Sequence, residues 1–98
     1  MSNHRSERLR ASANGEPCVA CGSVGTTVWC HGNESSFGKG MGIKAHDLLG
    51  LYLCGGCHRA YDSGNTMDRE TKREFFRNHY PATMVRVAEK LADGSLKL

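Results

Sequence analysis

Large aliphatic side chains are scarce in this chain: Leu, Ile, Val and Phe together supply seventeen of its 98 residues. That is a thin supply for a core, so a domain of this size needs a further staple. No apolar run approaches the length of a membrane span. Residues 1–10 are polar and charged and contain no apolar stretch of the kind that directs export. Repeats and low-complexity segments are absent, and proline occurs only twice. These absences imply a single reduced, cytoplasmic domain with no membrane partner. In that compartment the five cysteines point to a metal rather than to disulfides.

Four of the five fall into two C-x-x-C pairs, Cys18-Val19-Ala20-Cys21 and Cys54-Gly55-Gly56-Cys57. A two-residue gap lets one tight turn aim both sulfurs at one ion, and two such turns complete a tetrahedral site for a structural zinc. Gly55-Gly56 is expected to supply the backbone freedom that the second turn needs. The 32 residues between the pairs exceed the spacing of a compact zinc ribbon, so a functional segment is expected there. Cys30 is the odd thiol. The formal charge of +3 falls to +1 once four thiolates and one Zn2+ are counted, so charge alone does not specify an anionic partner.

Along the chain, residues 1–15 read as a mobile basic arm with a frayed helix, since Leu9 is their only sizeable apolar side chain. The β-branched and aromatic content of 26–31 predicts a strand that ends on His31, and 51–53 is expected to pair with it antiparallel. Gly32 to Lys44 reads as a substrate-facing loop. A short helix should start at the second cysteine turn. Asn65 is the expected cap of a further helix over 66–78, closed by Pro81. Pro81 then opens another helix, with Met84, Val87, Ala88 and Leu91 as its core positions and Gly94 as its stop.

The order strand, His31, loop, strand, C-x-x-C-His58, helix resembles the HNH, or ββα-metal, nucleases. The likeness is greatest to the small stand-alone HNH proteins of phages and prophages, in which a C-x-x-C-H-x-x-x-D run also occurs. It covers about residues 18–62 and rests on His31 closing a strand, on Asp47-Leu48 before a short apolar strand, and on Cys54-Gly-Gly-Cys57-His58. It implies an α+β, treble-clef-like, zinc-stapled domain over 16–98, with its core at 18–62 and a helical extension at 65–93. The resemblance makes His31 the general base and His58 a ligand of a catalytic Mg2+, Mn2+, Ni2+ or Zn2+. Asp62, four residues on, would share a helical face with His58 as a second ligand. Cys30 stands where many members carry an acidic or His ligand, and Asp47 or Asn33 would take the place of the family's middle Asn. The implied substrate is DNA, with RNA left open, and Arg5, Arg8, Arg10, Lys39, Lys44 and Arg59 are candidates to meet its phosphates. His4 and His79 read as surface residues, and His46 as a capping or solvent-facing one.

The chemistry asks for these parts in its own right. Phosphodiester hydrolysis needs an imidazole to activate water near neutral pH and a divalent cation to stabilise charge on phosphate. Two rivals use the same C-x-x-C pattern. Covalent haem attachment to C-x-x-C-H leaves the first pair unexplained and usually follows export, and a thioredoxin-like redox pair lacks its βαβ setting. The competing reading from another class is a non-catalytic zinc module that binds DNA or a protein partner.

Overall fold

The computed structural model describes residues 7–32, 48–62 and 66–97. The elements are α1 (Glu7–Ala11), β1 (Val28–His31), β2 (Gly50–Leu53), α2 (Gly55–Asp62) and α3 (Arg69–Asp93). Among the described residues the sheet is an antiparallel pair, with Val28 opposite Leu53, Trp29 opposite Tyr52, Cys30 opposite Leu51 and His31 opposite Gly50. This is the expected pairing. A bond from Gly32 N–H to the Leu49 carbonyl (2.7 Å) continues it one step beyond His31.

Alternation along two short strands builds two small cores, one on each face. Cys30, Leu51 and Leu53 join Cys18, Cys54, Tyr61 and Phe76 on one side. Trp29 and Tyr52 join Leu9, Ala13, Val87 and Leu96 on the other. A hairpin alone is marginal in water, so coverage of both faces is what holds this one. The outer edge of β2 is closed as well: the Tyr52 N–H donates to Thr83 Oγ1 (3.4 Å) and the Tyr52 carbonyl accepts from Val19 N–H (2.9 Å). The backbone of Tyr52 is thereby left with no group to recruit another chain.

Residues 7–15 are not the mobile arm expected from their polarity. Leu9 is fully buried and so is Ala13, four positions on, which is the spacing that puts two side chains on one helical face. Four polar ties reinforce the docking. Ser12 Oγ and Tyr52 OH are 2.7 Å apart, Lys90 Nζ donates to the Ser12 carbonyl (2.6 Å), and Glu16 pairs with Lys90 at 3.0 Å and Arg86 at 3.4 Å.

The two helices expected around Pro81 are one, α3, of 25 residues with Pro81 inside it. An internal proline removes one helical hydrogen bond, here that of the Arg77 carbonyl, at a cost of about 3 kcal/mol. Packing outweighs it. Phe76, Thr83 and Val87 are buried along one stripe, and Tyr80 lies within it, stacked on Phe76 at 5.0 Å. These four positions keep helical spacing straight across the proline. Ala88 and Leu91, expected in the core, are exposed instead, because the side of α3 that faces β2 is set by Thr83 and Val87. Asn65 lies outside the described residues. The helix is capped by Asp68, whose carboxylate accepts from Thr71 N–H (2.8 Å), and it ends, as expected, at Gly94 with φ +84°.

Candidate metal centre

The first knuckle is a tight turn. Cys18 N–H donates to the Ser23 carbonyl and Gly22 N–H to the Cys18 carbonyl, both at 2.9 Å. Gly22 has φ +81°, a left-handed conformation that suits glycine. The Val19–Tyr52 bond fastens this turn to β2.

The second knuckle is built differently from its expected form. Gly55 and Gly56 are the first residues of α2 and neither has positive φ, so the turn needs no left-handed glycine there. A Cβ on Gly56 would meet nothing within 4 Å. The geometry comes instead from helix initiation, in which His58 N–H donates to the Cys54 carbonyl (2.8 Å) and Cys57 N–H points at Cys54 Sγ (3.5 Å). Thr26 Oγ1 accepts from Gly55 N–H (3.2 Å) and ties the knuckle to the segment leading into β1.

The sulfurs of Cys18, Cys21, Cys54 and Cys57 converge, all within 4.8 Å of one another, with Cys21 and Cys54 at 3.6 Å. A tetrahedron with Zn–S bonds of about 2.3 Å has S–S edges of about 3.8 Å, so the four thiols fit one zinc. All five cysteines are free thiols. Cys30 is buried in the core beneath the centre and stands apart from the four.

The local electrostatics suit a cation. Hydrogen bonds from the Ser23 side chain and backbone, then the Cys54 and Cys18 thiols, lower the Cys21 thiol to about 6. Burial pushes Cys18 up, but backbone hydrogen bonds from Cys54, Cys21 and Ala20 outweigh it and hold that thiol below its ordinary value. Burial first, then the neighbouring thiols of Cys54, Cys21 and Cys18, raise Cys57 well above its ordinary value. Negative charge is thus welcomed at two sulfurs and refused at a third until a cation arrives. Ser23 is the participant that motif reading misses; its one signal is a hydroxyl two residues after a ligand cysteine.

His58 and Asp62 share a face of α2, with Nε2 and Oδ2 3.9 Å apart and side chains 37% and 44% exposed. His31 ends β1 and is partly exposed. Strand alternation puts it on the Trp29 face, away from the face on which α2 packs through Tyr61. Among the described residues, the four-cysteine group is the one cluster of three or more metal-ligating side chains, so His31, His58 and Asp62 are not gathered into a second. Arg8 and Arg59 are exposed and Arg10 is partly buried. His4, Arg5, Asn33, Lys39, Lys44, His46 and Asp47 lie outside the described residues.

Comparison with protein-family models, curated proteins and solved structures finds no match to this chain. Among the described residues no helix is long and apolar enough to cross a membrane.

Proposed function

We propose that the protein is a metal-dependent endonuclease acting on DNA, a ββα-metal domain stapled by a four-cysteine zinc. The observation that supports this reading is the path of the chain through the second knuckle. β2 runs into Cys54, α2 begins at the next residue, and α2 packs against both strands. α2 carries His58 and Asp62 on one face, 3.9 Å apart, and His31 closes β1 opposite Gly50.

The residues divide the work. His31, on its own strand face, is the base that takes a proton from the attacking water, a task suited to an imidazole near neutral pH. His58 and Asp62, i and i+4 on α2, would hold the divalent cation, with Asp47 in support. That ion, when bound, supplies charge stabilisation at the phosphate. The zinc knot takes no part in the reaction; it sets where α2 begins.

His31→Ala tests the assignment on zinc-loaded protein with supercoiled plasmid and Mg2+, Mn2+ or Ni2+. Cleavage should fall by about 10²–10⁴-fold, while zinc content stays at one ion and DNA binding is kept. His58→Ala should lose activity that is partly recovered at higher Mg2+ or Mn2+. A wild type that cuts no nucleic acid with any of these metals, or two variants as fast as wild type, replaces this reading with that of a non-catalytic zinc module.

A further inference from the structure

On the far side of the sheet from the cysteines, the end of α1 and the segment after α3 border an open cavity of about 430 Å³ lined by Arg8, Ala11, Ser12, Lys90, Ser95, Leu96 and Lys97. Three of the seven side chains are cationic and none is acidic. Lys90 is already placed: its ammonium donates to the Ser12 carbonyl (2.6 Å), pairs with Glu16 (3.0 Å) and lies over the Tyr52 ring (5.4 Å). Arg8 and Lys97 are both exposed; among the described residues the nearest carboxylates sit on other lining residues, Glu16 on Lys90 (3.0 Å) and Asp93 on the Ser95 N–H (2.8 Å).

Two helices end beside this cavity, and helix C-termini ordinarily repel anions. Here the carbonyls at the end of α1 are occupied, and so is that of Lys90 in the last turn of α3. The Lys90 carbonyl accepts from Leu96 N–H (3.1 Å) and from Ser95 Oγ (3.4 Å). The Arg8 and Leu9 carbonyls both accept from Ser12 N–H, and the Ala11 carbonyl accepts from Asn14 N–H. What faces the cavity is therefore side-chain cations over the buried floor of Leu96.

We propose that this cavity is a phosphate-binding site, with Arg8 and Lys97 as the two charge partners and Lys90 as a fixed cation at its back. A phosphate group is the ligand that such a set recognises, since a guanidinium offers a planar pair of donors and an ammonium a point charge. Two sources carry that group, a nucleic-acid backbone and a free phosphate monoester. The first rests on the nuclease reading, and makes this site a contact that orients the duplex without touching the scissile bond; the second does not.

Two measurements on the full zinc-loaded chain decide the matter. In the first, inorganic phosphate is titrated at constant ionic strength and amide resonances are followed; saturable shifts at Arg8, Ser95 and Lys97 are expected, and should vanish in Arg8→Gln/Lys97→Gln. In the second, the salt dependence of DNA binding is compared between wild type and that double variant. The slope of log K against log salt should become shallower by about 2, near 0.9 for each phosphate that is no longer neutralised, with zinc content and melting temperature unchanged. Saturable phosphate shifts with an unaltered slope assign the site to a free phosphate monoester. Wild type that binds no DNA yet shows the shifts overturns the nucleic-acid source and keeps the phosphate site. Absence of saturable shifts together with an unaltered slope overturns the proposal.

Discussion

Gly50 sits under the indole of Trp29, and adding one methyl group there is the sharpest test of the packing around the hairpin. A Cβ built on Gly50 would lie 2.5, 2.6 and 2.8 Å from three atoms of the Trp29 ring, about 1 Å inside ordinary van der Waals contact. The ring has little room to yield. It meets Tyr52 edge-on at 5.5 Å and packs in the core that holds Leu9, Ala13 and Val87. Relief must come from moving the β2 backbone at the position that faces His31. Overpacking of this kind costs about 1–3 kcal/mol, and replacing glycine by alanine returns about 0.4–1 kcal/mol through the unfolded state, for a net loss of roughly 1–2 kcal/mol. At about 4–8 °C per kcal/mol for a domain of this size, Gly50→Ala should melt some 5–15 °C below wild type when zinc-loaded protein is followed by circular dichroism. Gly56→Ala is the control, since its Cβ meets open space inside α2 and the change should leave stability equal or higher. A Gly50→Ala protein as stable as wild type would refute the description of Trp29 as immobile.

Leu9→Ala should cost about 2–5 kcal/mol, read as a shift in the denaturant midpoint; a negligible shift would restore the free arm that polarity alone suggests. Chelation of the metal from wild type, or Cys57→Ser, should unfold the domain, because metal-binding free energy is folding free energy in a small metal-stapled chain; a metal-free protein that stays folded in strong reductant would contradict this. Zinc affinity should rise with pH through the neutral range. The Cys57 thiol is held above its ordinary value and keeps its proton there, whereas Cys21, lowered to about 6, has already released its own. Binding therefore expels at least the Cys57 proton, worth about tenfold in affinity per pH unit. Competition titrations with a chelator of known pH dependence at pH 6, 7 and 8 measure this, and a flat result would count against the charge distribution at the centre.

The parts of this molecule written in local pattern are legible in its residues alone. The two C-x-x-C turns, the hairpin with its register end at His31, the helix leaving Cys54 and the stop at Gly94 each follow from short-range chemistry. The failures share one cause, which is packing between segments distant in sequence. Pro81 is a strong local signal for a break, but the buried stripe Phe76, Tyr80, Thr83, Val87 continues through it. Leu9 looks isolated because its partner four residues on, Ala13, is too small to read as a core residue. Gly55-Gly56 invites a left-handed turn, while the conformation that needs glycine is at Gly22, just beyond the first knuckle. At the candidate catalytic site the sequence names His31, His58 and Asp62 and the fold adds one relation, the 3.9 Å approach of the last two.

The two cores differ in when they can be completed as the chain is synthesised. All four sulfur ligands lie between Cys18 and Cys57, so the knot can close while α3 is still being made. The other core needs Leu9 and Ala13 as well as Val87 and Leu96, so it cannot close until Leu96 has been added. Metal binding needs only its own ligands in place, and metal capture would accordingly precede the burial of Trp29. The lone indole becomes a clock: in chains of increasing length made with cobalt in place of zinc, the absorbance that reports thiolate–metal bonding should appear at a shorter length than the change in Trp29 fluorescence.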